Sequence, residues 1–353
     1  MNDSDILLLR HAVDLAERGR FTCAPNPTVG CVVVRDGRVL GRGWHKKAGE
    51  GHAEVEAIKD AGGDVQGSTV YVSLEPCAFE GRTPACAHTL VKAGVRKVVM
   101  AALDPHPKVS GKGVEILQAA GIDTQVYELP EATAAIRGFR SIQERGRPWV
   151  RIKTASSLDG ATALANGESK WITGPSARED VQYWRARSDA IVTGIGTVLA
   201  DDPALTVRSY EAKPPLRVIL DSALSLSNDA QVMRDGGGTL VVHCSDEPAP
   251  AGAKGVEYLN LDPKNLDALL VELGQRGCNE VLVEAGAKVV GSFVKAGLWD
   301  EWIAYVAPKI MGDSSAHVVE AAYASMTQVP EAEIVNSKMF GNDVRLTLRN
   351  NRR

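Results

Sequence analysis

Apolar residues recur at helical spacing at the start of the chain: Ile6, Leu9, Ala12, Val13 and Ala16, interrupted by Asp5, Arg10 and Asp14. The spacing predicts an amphipathic first helix capped at Asp3 or Ser4. The period then changes. "TVGCVVVRDGRVLGRGW" reads as two strands about an Asp36-Gly37 hairpin turn. "AEVEAIKDAGG" is helical up to Gly62-Gly63, "STVYVSL" a strand, and "PACAHTLVKAG" a helix ended by Gly94. "VRKVVMA" is a buried strand, "GKGVEILQAAG" a helix and "IDTQVYEL" a strand. "PEATAAIRGFRSIQER" reads as one closing helix with Pro130 at its start. Such alternation predicts a layered α/β domain with a largely parallel sheet.

The polar run Arg145–Pro148, with its Gly and Pro, precedes a fresh strand and marks a linker. Domains are therefore expected over 1–146 and 147–353. "PWVRIKTASSLDGATAL" opens the second with a strand, an Asp-Gly turn and a return. "SAREDVQYWRARS" (helix), "DAIVTG", "LRVILD" and "TLVVHC" (strands) and "NLDALLVELGQRG" (helix) follow. "EVLVEAGAKVVGSFVKAG" is a strand feeding a helix. Both halves read as α/β, with no repeat joining them; residues 222–275 say least.

Length and composition fit this picture. A chain of 353 residues, 44% hydrophobic, holds enough apolar content for two cores, so a metal here serves chemistry rather than folding. The net charge of −4 comes from 40 basic and 44 acidic residues with no basic block, which argues against a nucleic-acid surface. No apolar run reaches membrane-spanning length, and the N-terminus does not read as a signal peptide. Six cysteines in such a chain point to reduced thiols in the cytoplasm.

Two of them lie in "SLEPCAFEGRTPAC". Cys77 and Cys86 fit buried thiols, a disulfide or metal ligands, and the redox setting makes the disulfide the weakest reading. With His52 of "GHAEVEA" they offer one imidazole and two thiolates, leaving a fourth tetrahedral position open as in a catalytic zinc site. Thr83 and Pro84 read as the cap and first residue of a helix, placing Cys86 in its first turn, where amides and the helix dipole favour thiolate. A carboxylate that is not a ligand must move protons, and Glu54 lies two residues from His52. In a regular helix those two side chains point apart and Glu56 is the nearer neighbour. Glu54 serves only if His52 precedes the helix, which Gly49 and Gly51 permit. His-x-Glu with Pro-Cys is the zinc-deaminase signature. His45, His88 and His106 read as core or surface, with His45 placed to line the same pocket. In the second half, "TGIGTV" lacks the third glycine of a dinucleotide fingerprint. The turn after Glu284 opens a helix whose first amides suit a phosphate. Arg185 and Arg208 are candidate phosphate holders, and Trp171 is core or a stacking wall.

"HAEVEA" with "LEPCAFEGRTPAC" resembles the cytidine-deaminase-like superfamily. "APNPTVGCVVV" and "GRTPAC" are narrower and resemble the bifunctional riboflavin-biosynthesis deaminase–reductase family, whose wider cysteine gap replaces Cys-x-x-Cys. "KTASSLDGATALANGESKWITG", "TVLADDPALTVR" and "VEAGAKVVGSFVKAG" extend the resemblance over nearly the whole chain.

The resemblance implies two three-layer α/β domains, an N-terminal cytidine-deaminase-like one and a C-terminal dihydrofolate-reductase-like one. It implies that His52, Cys77 and Cys86 bind zinc, Glu54 shuttles protons and Asn26 contacts the pyrimidine. It places NADPH against Ala155, Trp171, Thr197, Asp201 and the turn of Gly286, Ala287, Lys288, Val289, Val290, Gly291 and Ser292. Ser169, Arg185, Leu205, Arg208 and Glu284 would contact the ribosyl phosphate substrate, with Lys153 orienting or protonating the sugar. The implied chemistry is zinc-dependent deamination of 2,5-diamino-6-ribosylamino-4(3H)-pyrimidinone 5′-phosphate, then NADPH-dependent reduction of ribosyl to ribityl. Family members often carry histidine where this chain has Phe79. A small-molecule substrate is expected, with no nucleic acid and no membrane, and a homo-oligomer, dimer or tetramer. Competing readings are another nucleotide deaminase with an inactive reductase-like half, and a zinc-stabilised binding module.

Overall fold

The structure, a computed structural model, describes residues 3–79, 84–107, 109–234, 237–248, 250 and 255–351. It divides into two compact units, Met1–Gly146 and Arg147–Arg353.

In the first unit α1 (Asp3–Ala16) precedes the hairpin β1 (Gly30–Arg35) and β2 (Arg38–Trp44). Asp36 and Gly37, with φ of 52° and 73°, form the turn that matches strand twist. Then come α2 (Ala53–Asp60), β3 (Thr69–Val72), α3 (Cys86–Lys92), β4 (Lys97–Met100), α4 (Lys112–Ala119) and β5 (Asp123–Val126). The sheet order is β2-β1-β3-β4-β5. It is mixed rather than largely parallel: β1 runs antiparallel to both β2 and β3, and only β3, β4 and β5 are parallel. A two-residue turn can only reverse the chain, so the hairpin makes β2 antiparallel to β1. Alternate residues of one strand feed opposite cores. Val32 and Val34 pack with Leu9, Ala12 and Ala132, while Cys31 and Val33 pack with Ala53, Ala57 and Leu90. The result is helix on both faces of one sheet.

The expected single closing helix is two, α5 (Pro130–Ala135) and α6 (Arg137–Arg145), broken at Ile136 (φ −102°, ψ 16°). Side chains take the carbonyls that helix amides would have taken. Arg137 Nε donates to Ala134 O at 2.8 Å, and Thr28 Oγ1 donates to Ala135 O at 3.1 Å.

The second unit runs β6 (Trp149–Ser156), β7 (Ala161–Leu164), α7 (Pro175–Arg187), β8 (Ala190–Gly194), α8 (Ile195–Asp201), β9 (Leu216–Leu220) and α9 (Gln231–Arg234). It continues with β10 (Thr239–His243), β11 (Val256–Asn260), α10 (Leu266–Gln275), β12 (Glu280–Val283) and α11 (Ala287–Ala296). β13 (Glu301–Val306), β14 (Ser314–His317), β15 (Ala332–Phe340) and β16 (Asp343–Asn350) complete it. The nine-stranded sheet has the order β11-β10-β9-β8-β12-β6-β13-β16-β15. It is parallel from β11 to β13 and antiparallel beyond. The return after the Asp-Gly turn, read as the partner of β6, pairs instead with β14 in a separate two-stranded sheet. Asp159 in the turn binds the amides of Met311 and Gly312, joining that turn to the segment that leads into β14. Again two cores flank the sheet. Val192, Val242 and Val283 face Leu269, Leu270 and Phe293. Ile191, Ile219 and Leu282 face Ala177, Val181 and Val232.

Candidate active sites

Glycine lets α2 lie directly on β2. A Cβ on Gly43 would sit 2.3 Å from the Ala57 nitrogen and 2.4 Å from the Ala53 oxygen, and one on Gly41 2.2 Å from the Ala57 oxygen. This seat fixes where α2 begins, and His52 caps it in extended conformation (φ −72°, ψ 165°). His52 therefore precedes the helix, as the proximity of Glu54 demands. Across from it α3 begins at Cys86, after Ala85; Thr83, read as the cap, lies outside the described residues.

His52 Nδ1 lies 3.5 Å from Cys77 Sγ and 3.3 Å from Cys86 Sγ, and the Cys86 amide donates to Cys77 Sγ at 3.2 Å. The three ligand atoms fall within 4.8 Å of one another. Hydrogen bonding from the Cys86 thiol holds Cys77 down at about 4 against its burial, with His52 adding to the effect. Cys86, as that donor, is pushed up. Glu54 is 3% exposed, and burial lifts its carboxyl to about 7, aided by the charge on Cys77. Glu56 is elsewhere engaged, with Lys46 at 3.2 Å and Lys59 at 2.7 Å. An imidazole and a sulfur at two helix starts, with a second sulfur from the loop after β3, fit a zinc ion, and a buried carboxyl that is not one of the three stands beside them.

The His45 ring stands edge-on to His52, centroids 5.3 Å apart. Its Nδ1 lies 3.1 Å from the Gly51 carbonyl, which can only accept, so that nitrogen carries the proton. Burial keeps the ring neutral, leaving Nε2 to accept from Asn26 Nδ2 at 3.0 Å. Asn26 thus belongs to the same cluster, and His45, read from sequence only as a pocket neighbour, orients it. Phe79 is 58% exposed, which excludes a core role.

In the second unit a cavity of about 560 Å³ opens at the carboxyl ends of β6, β8 and β12, within the range of roughly 300–1,000 Å³ usual for small-molecule sites. It lies where ligands bind in open α/β sheets. Lys153, Ala155, Ser169, Trp171, Arg185, Thr197, Asp201, Leu205, Arg208, Glu284, Gly286 and Ala287 all line it. Lys288, Val289, Val290, Gly291 and Ser292 do not. Val290 is packed in the core, and a Cβ on Gly291 would meet the Glu320 carbonyl at 2.0 Å. The charged centre is Glu284, which accepts from Arg185 Nε (2.9 Å) and Nη2 (2.7 Å) and faces Lys153 Nζ at 3.4 Å. Burial works to raise this carboxyl, but the charges of Arg185 and Lys153 prevail and hold it at about 2. Arg185 is thus committed to Glu284, whereas the Arg208 side chain has no ion pair among the described residues. Gly286 caps α11, its amide donating to Thr197 Oγ1 at 3.2 Å. The following amides lie in the first turn, where a helix leaves donors free, and suit a dinucleotide phosphate.

Sequence reasoning missed Arg178, Gln182 and Tyr305 as cavity residues. Arg178 and Gln182 stand seven and three residues before Arg185 on α7, a spacing that places all three on one helix face. Arg178 lies over the Trp171 ring at 4.4 Å, and Gln182 Oε1 accepts the Arg208 amide at 3.0 Å.

Comparison with known proteins bears on both sites. A family model described as the cytidine and deoxycytidylate deaminase zinc-binding region matches residues 2–102, and the RibD C-terminal domain matches 148–346. Fold, sites and matches define an enzyme of two activities, a zinc-binding deaminase domain and an NADPH-using reductase domain in one chain. The riboflavin biosynthesis proteins RibD of Haemophilus influenzae and Escherichia coli are each 40% identical to it, covering 98% of this chain and 97% and 99% of theirs. A solved structure of Acinetobacter baumannii RibD superposes with a TM-score of 0.93 at 44% identity, covering 99% of both chains. One from Thermotoga maritima, a diaminohydroxyphosphoribosylaminopyrimidine deaminase/5-amino-6-(5-phosphoribosylamino)uracil reductase, gives 0.91 at 34% identity and 98% of both. The chain belongs to the RibD family of bifunctional deaminase–reductases of riboflavin biosynthesis. Matches running through both units do not favour a different deaminase with an inert second half. No helix among the described residues is long and apolar enough to cross a membrane.

Proposed function

We propose that residues 1–146 deaminate 2,5-diamino-6-ribosylamino-4(3H)-pyrimidinone 5′-phosphate and residues 147–353 reduce the ribosyl group of the product. The convergence of His52 Nδ1, Cys77 Sγ and Cys86 Sγ beside the buried Glu54 carries the reading. His52, Cys77 and Cys86 hold the zinc, which when bound lowers the pKa of water from 15.7 to about 7. Glu54 takes one proton from the attacking water and gives it to the ring nitrogen. It then takes the remaining proton of the added hydroxyl and gives it to the amine, which departs as ammonia as the carbonyl forms. Its carboxyl, lifted by burial, suits both directions of transfer. Asn26, its amide nitrogen held by His45, turns its oxygen to the pyrimidine.

In the second unit NADPH supplies the hydride. Gly286 and Ala287 at the start of α11, with Thr197 and Asp201, hold the cofactor, and Ala155 and Trp171 form its wall. Glu284, fixed by Arg185 and Lys153, orients the ribose; Ser169, Leu205 and Arg208 complete the substrate site, with Arg208 on the phosphate. Lys153 Nζ, 3.4 Å from Glu284, orients the sugar or gives it a proton. The enzyme works in the cytoplasm on a free small molecule, without nucleic acid, as a homo-oligomer. A substrate panel tests the reading. The diamino compound is deaminated and deoxycytidylate is not; preference for deoxycytidylate would overturn it.

A further inference from the structure

Glu75 follows β3, two residues before Cys77, and is 3% exposed. Its carboxylate accepts four backbone amides. Oε2 takes those of Asp104 at 3.1 Å and Gly111 at 3.0 Å; Oε1 takes those of Gly113 at 2.9 Å and Val114 at 3.3 Å. Gly111 caps α4 and the next two partners lie in its first turn, so the carboxylate uses donors that a helix start leaves unpaired. The Glu75 amide adds a bond to Ala102 O at 2.9 Å.

The helix start pinned in this way touches the ligand segment. A Cβ on Gly113 would lie 2.1 Å from the Pro76 carbonyl oxygen, so α4 rests directly on the peptide before Cys77. On its other side Cys77 is held by α3, its carbonyl accepting the Ala87 amide at 3.1 Å and its sulfur the Cys86 amide at 3.2 Å. Cys77 is clamped between two helices, and Glu75 keeps one of them in place.

We propose that Glu75 is a positioning residue for the metal centre, an internal anion that ties α4 and the turn at Asp104 to Pro76 and so fixes Cys77 Sγ for zinc. This rests on the reading of Cys77 as a zinc ligand. The role needs both oxygens. Glutamine keeps the shape but turns an amide group toward two of the four donors, and aspartate keeps the charge on a shorter arm.

Full-length Glu75→Gln and Glu75→Asp test it by chelator competition for zinc, by the thiolate-to-metal absorption of the cobalt-substituted protein and by deaminase kcat and KM. NADPH-dependent reduction serves as the internal control. Glutamine should weaken zinc binding by about 10–100-fold, the usual cost of losing an outer-shell partner, and shift the cobalt band. Aspartate should fall between it and the wild type. Wild-type zinc affinity and an unchanged cobalt spectrum in Glu75→Gln would overturn the proposal. If that variant does not fold, Gly113→Ala, which presses on Pro76 without touching the carboxylate, must move the band, and an unmoved band overturns the proposal equally. Zinc retained by Cys77→Ser would instead sink the ligand reading beneath it.

Discussion

Gly43 lies on β2 under the first turn of α2, and alanine there tests whether that seat sets the deaminase geometry. The new methyl carbon would stand 2.3 Å from the Ala57 nitrogen and 2.4 Å from the Ala53 oxygen. Non-bonded contact needs about 3.5 Å, so α2 must retreat by roughly 1 Å. Both obstacles are backbone and cannot rotate away. His52 leads into this helix and Glu54 sits in its first turn, so the proposed ligand and the proposed proton shuttle move together. A misplacement of about 1 Å can cost about 10²-fold in rate, and overpacking of this kind costs about 1–3 kcal/mol of stability. Ammonia release from the diamino substrate should therefore fall about 100-fold in Gly43→Ala. NADPH oxidation with the deaminated intermediate should stay at the wild-type rate. Wild-type ammonia release from a folded, zinc-loaded variant would refute the reasoning.

Three further outcomes are expected. Glu54→Gln keeps its zinc but loses about 10²–10⁴-fold in deamination; metal analysis showing zinc lost would remove Glu54 from its role as shuttle. Cys86→Ser abolishes zinc binding and deamination and spares reduction of supplied intermediate; loss of reduction in a folded variant would contradict independent sites. Glu284 is held at about 2 against an ordinary 4.5, so its contribution is complete above pH 4.5 and is lost as pH falls toward 2. The whole interval corresponds to about 3 kcal/mol, of which about 2 kcal/mol is lost between pH 6 and pH 3. The acid loss of stability in Glu284→Gln should therefore be smaller by about 2 kcal/mol, as read by denaturant unfolding at those two pH values. An identical acid limb in variant and wild type would reject the Glu284 ion pair.

What could be read from the sequence was whatever local spacing encodes. Asp36-Gly37 announced the hairpin, and the alternation of Cys31 to Val34 is that of a strand covered on both faces. His-x-Glu demanded an extended histidine ahead of a helix, and the backbone supplies one. What escaped depends on distant partners. The break at Ile136 needs the Thr28 hydroxyl, 107 residues from its acceptor. The strand after the Asp-Gly turn has the same pattern whether it pairs with β6 or with β14. β15 is exposed along almost its whole length and shows no alternation to mark it. Nothing local marks Glu75, because the four amides its carboxylate accepts lie 29 to 39 positions away. Arg178 and Gln182 carried a usable signal, their spacing from Arg185.

Simultaneous recording of ammonia and NADPH during turnover of the diamino substrate tests the central claim most directly. Without NADPH, the zinc-loaded enzyme should release ammonia and stop at the deaminated ribosyl product. With NADPH, each ammonia should be followed by oxidation of one NADPH, with ammonia appearing first. NADPH consumed ahead of ammonia, or no ammonia at all from zinc-loaded protein, would contradict the account.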